Sequence, residues 1–413
     1  MAKPKLALIP ASQGSKVFSV LPSDGSGDFD FSRSGSATRI NSQGLIETVS
    51  SGQSRLNYSM IDGKVVGCPS LLLEPQRTNL ITYSEDFTDS SWTKLGAGTA
   101  SAAVVTSNYA ISPDGTSNAS RLQCDLNGGL TSSANQSLIY DTIVGNGETT
   151  AFIYVKSNTS SSQNFYLANS LNDRITAVAT TEWKKFKLNW NPSGNGRTLT
   201  IGTRGSTGSD DTLDLLIWGA QVEEGSYPTS YIPTNGTIVT RLVETANGAG
   251  NADTFNDSEG VLMAEISALA DDLTQRALGV SDGTSSNRMS IVYNDGSSNS
   301  LRMFVNNPSG TKSYITNSFN ITQNNKISIK LNGTSLSFWV NGFEIHTDTL
   351  NSSFVNGTLN TFDFAFFGTN TPFYGNTKQI QYHNSVLTDS ELEQLTSWTS
   401  FSDMAQGQLY SIE

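Results

Sequence analysis

Two histidines, His346 and His383, are all that this 413-residue chain offers for general-base chemistry near neutral pH. His346 follows Phe343–Ile345 in a strand-like run and His383 follows Tyr382, with no nucleophile in a strand–turn–helix elbow and no G-x-S-x-G sequence. Both are expected to be partly exposed strand histidines. Glycoside hydrolysis needs no histidine, only two carboxyl groups about 5–9 Å apart. The candidate pairs are Glu85/Asp86, Glu223/Glu224 and Asp271/Asp272. Neighbours along a strand point to opposite faces, so these pairs are poorly placed for that chemistry and are expected to be solvated. Cys68 and Cys124 supply neither a disulfide framework nor CxxC spacing for zinc, and both are expected as buried free thiols. The stretch Gly202–Gly208 lacks the lysine of a phosphate-binding loop and is expected to be a turn. The expectation is a chain that is not an enzyme.

Binding chemistry has more candidates. A sugar ring stacks on an exposed aromatic flanked by Asn, Asp or Gln. Trp92, Trp183 and Tyr140 meet that description in the first half of the chain, and Trp339, Tyr314 and Tyr374 in the second. Leu336, Phe338 and Val340 share one phase of a strand, which places Trp339 on the opposite face. Such a tryptophan is either covered by a subunit or domain, or free to act as a glycan platform.

The net charge of −12 and pI near 4.7 leave no clustered Lys and Arg to replace counterions, apart from Lys184, Lys185 and Lys187. Nucleic-acid binding and anionic-membrane binding are therefore disfavoured. The opening run Leu6–Pro10 is shorter than a secretory core, and no stretch reaches membrane-spanning length.

Short β-branched and aromatic runs, divided by Gly, Asn and Asp, predict an all-β chain of two antiparallel sandwiches behind a small N-terminal β module. Residues 1–80 form that module, with Ala37–Ile40 and Leu45–Val49 joined by Asn41–Gly44. Residues 81–235 form the first sandwich, clearest at Trp183–Trp190, where Phe186, Leu188 and Trp190 alternate with Lys185, Lys187 and Asn189. Leu213–Trp218 closes it and runs into a turn-rich strap carrying Tyr227 and Tyr231. Residues 236–259 read as a linker in which Val239–Val243 adds an edge strand. Residues 260–398 form the second sandwich, where Asn332-Gly333 and Asn341-Gly342 turn between alternating strands. Thr388 and Glu391 cap a short helix that turns Leu392 and Leu395 inward, and residues 399–413 form a tail.

Three stretches carry a resemblance. VFSVLPSDGSGDFDFSRSGSATRINSQGLIE (17–47), PSLLLEPQRTNLITYSEDF (69–87) and WGAQVEEGSYPTSYIPT (218–234) resemble, in that order, modules of tailed-bacteriophage virion proteins. There a jelly roll similar to a carbohydrate-binding module closes with such a strap. KISIKLNGTSLSFWVNGFEIHT (326–347) resembles the laminin-G/concanavalin-like fold. The resemblance implies a head-fibre, tail-fibre or similar appendage on the outer surface of the particle, made in the host cytoplasm. It implies attachment to other virion proteins through residues 1–80, assembly as a homo-oligomer (a trimer) and adhesion to host-surface polysaccharide. Trp339, Tyr227 and Tyr231 then become candidates for packing between subunits or domains. A tailspike depolymerase and a purely structural decoration protein stay open as alternatives. Jelly-roll modules of this kind hold a structural calcium, for which Glu85 or Asp86 with Asp214 are the candidate ligands.

Overall fold

The alternating runs become strands in the computed structural model, which describes residues 1–399 and 403 apart from 10, 14, 62, 144–146, 169–173, 191–196 and 369. One helix, Asp389–Thr396, occurs among the described residues, and all other regular structure is β. The chain divides into two compact units. An inserted unit comprises residues 44–48 and 76–241, and a split unit comprises 1–43, 49–75 and 242–413.

The inserted unit is a sandwich of two five-stranded antiparallel sheets. One runs in the order Thr93–Ala97, Gln136–Ile143, Arg197–Arg204, Gln163–Ala168, Arg174–Ala179; the other runs Ser101–Ala110, Ala119–Asp125, Thr212–Glu224, Thr149–Ser157, Lys184–Trp190. Ile139, Ile153, Phe165, Leu215 and Ile217 help fill the space between them. In Lys184–Trp190, Leu188 is buried while Lys185 and Lys187 are exposed, as period-two alternation requires. The side chain of Trp190 lies outside the described residues. Gly202 sits inside the strand Arg197–Arg204, so the expected turn is confined to residues 205–208. A Cβ there would lie 2.4 Å from the Ser137 carbonyl, which is why the facing strand can approach.

Asp141 shares a strand face with Ile139 and Ile143 and is itself buried. Burial pushes its carboxyl up to about 6. The folded state therefore holds a proton that the unfolded chain has released between about pH 4 and 6, and stability falls as pH rises through that window. For Asp141→Asn we expect a gain of about 1 kcal/mol at pH 7, solvent screening reducing the full effect, and no gain below pH 4. Urea midpoints of the inserted unit at the two pH values measure it.

In the split unit one sheet runs Phe343–Thr349, Ser335–Val340, Asn325–Asn332, Glu259–Ala268, Gly375–His383, Lys64–Leu73, Arg55–Ile61, and Leu6–Leu8 also pairs with Gly375–His383. A five-stranded sheet runs Gly310–Thr316, Leu301–Asn307, Arg288–Tyr293, Arg276–Ser281, Thr361–Asp363. Asn341 and Gly342 both take positive φ, 50° and 92°, as a tight hairpin turn demands. The capping box at Thr388 and Glu391 is present, with Leu392 buried.

Two expectations are corrected here. Residues 1–80 are not a separate module. Leu71 pairs with Thr377 and Leu73 with Gly375, Leu6 pairs with Tyr382, and Leu6, Leu8, Phe29, Phe31 and Leu71 belong to the same core as Ile329 and Phe338. The boundary after this segment falls at residue 75/76, and the stretch 236–259 holds strands Val239–Arg241 and Thr245–Asn247. Trp339, only 6% exposed, is covered by the chain itself. It packs with Val261, Leu387 and Leu392 beneath the terminal helix. The tail 399–413 lies, but for 399 and 403, outside the described residues.

Four charges meet in the split unit away from water. Glu244 accepts from Arg33 Nη1 at 2.6 Å and Arg55 Nε at 2.8 Å, from Arg55 Nη2, and from the Glu74 amide at 2.9 Å. Arg55 Nη2 also meets Glu74 Oε2 at 2.8 Å.

Candidate functional site

The strand Thr212–Glu224 carries Trp218, Gln221 and Glu223 on the face toward which the strap folds back. Each holds one part of the strap. Tyr231 packs its ring on Trp218, with centroids 4.6 Å apart. Gln221 accepts from the Ile232 amide at 2.6 Å, and Glu223 accepts from the amide and hydroxyl of Thr229 at 2.5 and 2.6 Å. Asn79 fastens the far side, donating to the carbonyls of Ala220 and Ile232. Tyr227 lies under the Arg77 guanidinium at 5.1 Å. Tyr227 and Tyr231 are thus buried within their own unit, which corrects the expectation that they pack between subunits or domains.

This anchoring delivers Pro233, Thr234 and Asn235 to one wall of a 410 Å³ cleft. Glu85 and Asp86 come from the opening segment of the unit, Ser107 and Asn108 from Ser101–Ala110, and Asn118 from the turn before Ala119–Asp125. The register of Ser101–Ala110 slips between Thr106 and Ala110, and Asn108 takes φ 53°. That bulge turns Ser107 and Asn108 toward the cleft.

Glu85 sets the electrostatics. Tyr231 Oη donates to its Oε1 at 2.8 Å and Asn118 Nδ2 to its Oε2 at 2.9 Å. Burial raises its pKa despite those bonds, and the charge of Asp114 raises it further. Asn118 also donates to Asp114 Oδ2 at 3.3 Å, while its own Oδ1 is buried without a partner. Burial alone would raise Asp114, but hydrogen bonds from Ser112 and Thr116 hold it below the usual range. The lining therefore presents amides, two hydroxyls and carboxylates. That is the chemistry of a hydroxyl-rich ligand.

The candidates read from sequence are scattered. Trp92 is buried, its indole donating to the Tyr83 carbonyl at 2.9 Å. Trp183 is half-buried and donates to the Ile111 carbonyl at 3.1 Å. Tyr314 stacks on His346 at 4.5 Å, and Tyr140 and Tyr374 are half-buried. None of these lines the cleft. The calcium set does not assemble: Asp214 is bound by Arg121 at 2.8 and 2.6 Å and by Asn158 at 3.0 Å, which lowers its pKa. No three of His, Cys, Asp or Glu converge among the described residues. Glu223 is buried and Glu224 exposed, so that acid pair is split across the strand; Asp271 is bound by Ser298 and Asn299, and Asp272 by Arg276. His383 is buried rather than exposed, and burial lowers its pKa. Cys124 is buried as expected but Cys68 is exposed. Asn118 and Asp114 were missed; their only signal is the turn sequence Pro113-Asp114-Gly115-Thr116.

No protein-family model and no curated protein matches the chain. Among solved structures it is similar to a Ruminococcus gnavus IT-sialidase CBM40 bound to α2,3-sialyllactose, with 20% identity over 34% of this chain and 84% of that one, TM-score 0.30. It is similar to domain 4 of AbnA, a GH43 extracellular arabinanase from Geobacillus stearothermophilus, in complex with arabinotriose, with 14% identity over 42% and 84%, TM-score 0.31. It is also similar to mouse laminin α1 chain domains LG4-5, with 11% identity over 58% and 82%, TM-score 0.24. Scores this low carry no function from those proteins to this chain.

Proposed function

We propose that the chain is a non-enzymatic glycan-binding protein of a bacteriophage virion, part of a head fibre, tail fibre or comparable appendage. The observation that carries the binding half is the polar cleft of the inserted unit, walled by the anchored strap and lined by Asp86, Ser107, Asn108 and Asn235. A hydroxyl-bearing ring can bond the exposed Asn108 and Asn235 amides together. Glu85 has both oxygens engaged by Tyr231 and Asn118, and Asp114 accepts from Ser112, Thr116 and Asn118, which supports binding rather than hydrolysis. The virion half rests on the three stretches 17–47, 69–87 and 218–234 and their order.

Glycan-array binding of the purified chain tests the first half. Asn108→Gly, which keeps the positive φ, and Asn235→Ala are each expected to weaken the best array ligand about tenfold, the value of one or two hydrogen bonds, with unchanged thermal transitions. No reducing ends should be released from capsule or lipopolysaccharide. Immunogold labelling of intact particles tests the second half. Release of reducing ends, or absence of the chain from purified particles, contradicts the corresponding half.

A further inference from the structure

The chain carries a net charge of −12, yet two arginines stand together on one face of the five-stranded sheet in the split unit. Arg288 and Arg302 lie on adjacent strands, on the phase opposite to the core residues Met289, Ile291, Met303 and Val305. The Phe304 ring lies 4.7 Å from the Arg288 guanidinium carbon and 4.6 Å from that of Arg302. Arg302 is neutralised by Asp295 at 2.7 Å and bonded to Ser313 Oγ at 3.2 Å. Arg288 is not. It is 8% exposed, its Nη1 donates to the Ser285 carbonyl, its Nε is buried without an acceptor, and no carboxylate forms an ion pair with it. Its Nη2 has no protein acceptor, although it is not one of the fully buried unpaired atoms and so keeps an accessible edge. The half-buried rings of Phe366 and Phe367 flank the guanidinium at 4.2 and 5.4 Å.

A desolvated cation in the field of a second cation, with Asp282 nearby but no carboxylate bonded to it, is relieved by an anion that reaches the open edge. Burial and the charge of Arg302 depress the Arg288 pKa by more than the charge of Asp282 raises it. The adjoining phenyl rings supply apolar surface against which a ring can rest. We infer that Arg288, with Phe366 and Phe367, forms a binding site for the carboxylate of an acidic sugar, separate from the cleft. The anion half stands on these contacts alone, and the sugar half rests on the glycan-binding reading above.

Trigalacturonate, its carboxyl-reduced counterpart and a triglutamate peptide, each titrated against the full chain, test the site. Trigalacturonate should bind at least about tenfold more tightly than the reduced form, as one charge-assisted hydrogen bond provides. Arg288→Gln should abolish that preference and Arg288→Lys should retain part of it, both with an unaltered thermal transition. The wild-type preference is itself decisive should either variant fail to fold. Equal binding of the two sugars, no binding of trigalacturonate, or a preference surviving Arg288→Gln overturns the site. Equal affinity for triglutamate overturns the sugar assignment. Loss of trigalacturonate binding in Asn108→Gly would put the ligand in the cleft instead, whereas failure of neutral glycans alone would sink only the cleft reading.

Discussion

Glu244→Gln should lower the stability of the split unit by about 3–5 kcal/mol, because it leaves two buried guanidinium groups short of charge. Glu244 meets both Arg33 and Arg55, and all three side chains are essentially inaccessible to water. The amide keeps the shape of the carboxylate but loses the negative charge, and its NH2 faces donors. The nearby carboxylate Glu74, which meets Arg55, is then one negative charge for two arginines. An exposed pair makes the comparison: Lys16→Ala, which removes the partner of Asp30, should cost less than about 1 kcal/mol. Urea unfolding followed by tryptophan fluorescence and circular dichroism reads both. A loss below 1 kcal/mol for Glu244→Gln would show that the cluster is not a charge-balanced unit.

A chain beginning at residue 76 should fail to form the split unit altogether while the inserted unit still folds. The truncation removes Leu6, Leu8, Val17, Phe29, Phe31, Leu71 and Leu73 from one core. Each contributes about 1.5–3 kcal/mol, so together they exceed much of the 5–15 kcal/mol by which a domain is usually stable. The edge of Gly375–His383 loses Lys64–Leu73 and Leu6–Leu8, and Glu244 loses both arginines. Calorimetry should show the transition of the split unit missing. A truncated protein that keeps both transitions would mean that residues 1–75 only decorate the sandwich.

Local features of the fold were legible in the sequence. Asn341-Gly342, the Thr388/Glu391 cap and the alternation at Phe186 and Leu188 each act over a few residues, so their physics is visible in a short window. The pairing of Leu73 with Gly375 was not, because strand partners some three hundred positions apart leave no local trace. Trp339 was placed on the correct face, but what covers it comes from a helix that begins fifty residues later, at Asp389. The strap was the most legible part of the site: its Gly, Pro and Tyr spacing announced a segment laid along a strand. The cleft it helps to build was not legible. Asn108 reaches it through a bulge, Asn118 through a turn, and neither residue type distinguishes a ligand-facing amide from the many amides elsewhere in the chain.

The division of the split unit has a cost in time. During synthesis the inserted unit is complete as soon as residue 241 has emerged, whereas Lys64–Leu73 must wait for Gly375–His383. At roughly 5–20 residues per second, those three hundred positions take roughly 15–60 s. Throughout that interval Leu71–Leu73 can pair with Arg55–Leu56 on one side only, and the edge that later takes Gly375–Thr377 stays open, a template for other nascent chains. Slow translation between residues 76 and 374 would prolong the exposure, and a chaperone that shields extended apolar segments would shorten its consequences. Yield of soluble protein should therefore depend on expression rate and chaperone supply far more than the final stability of either unit would suggest.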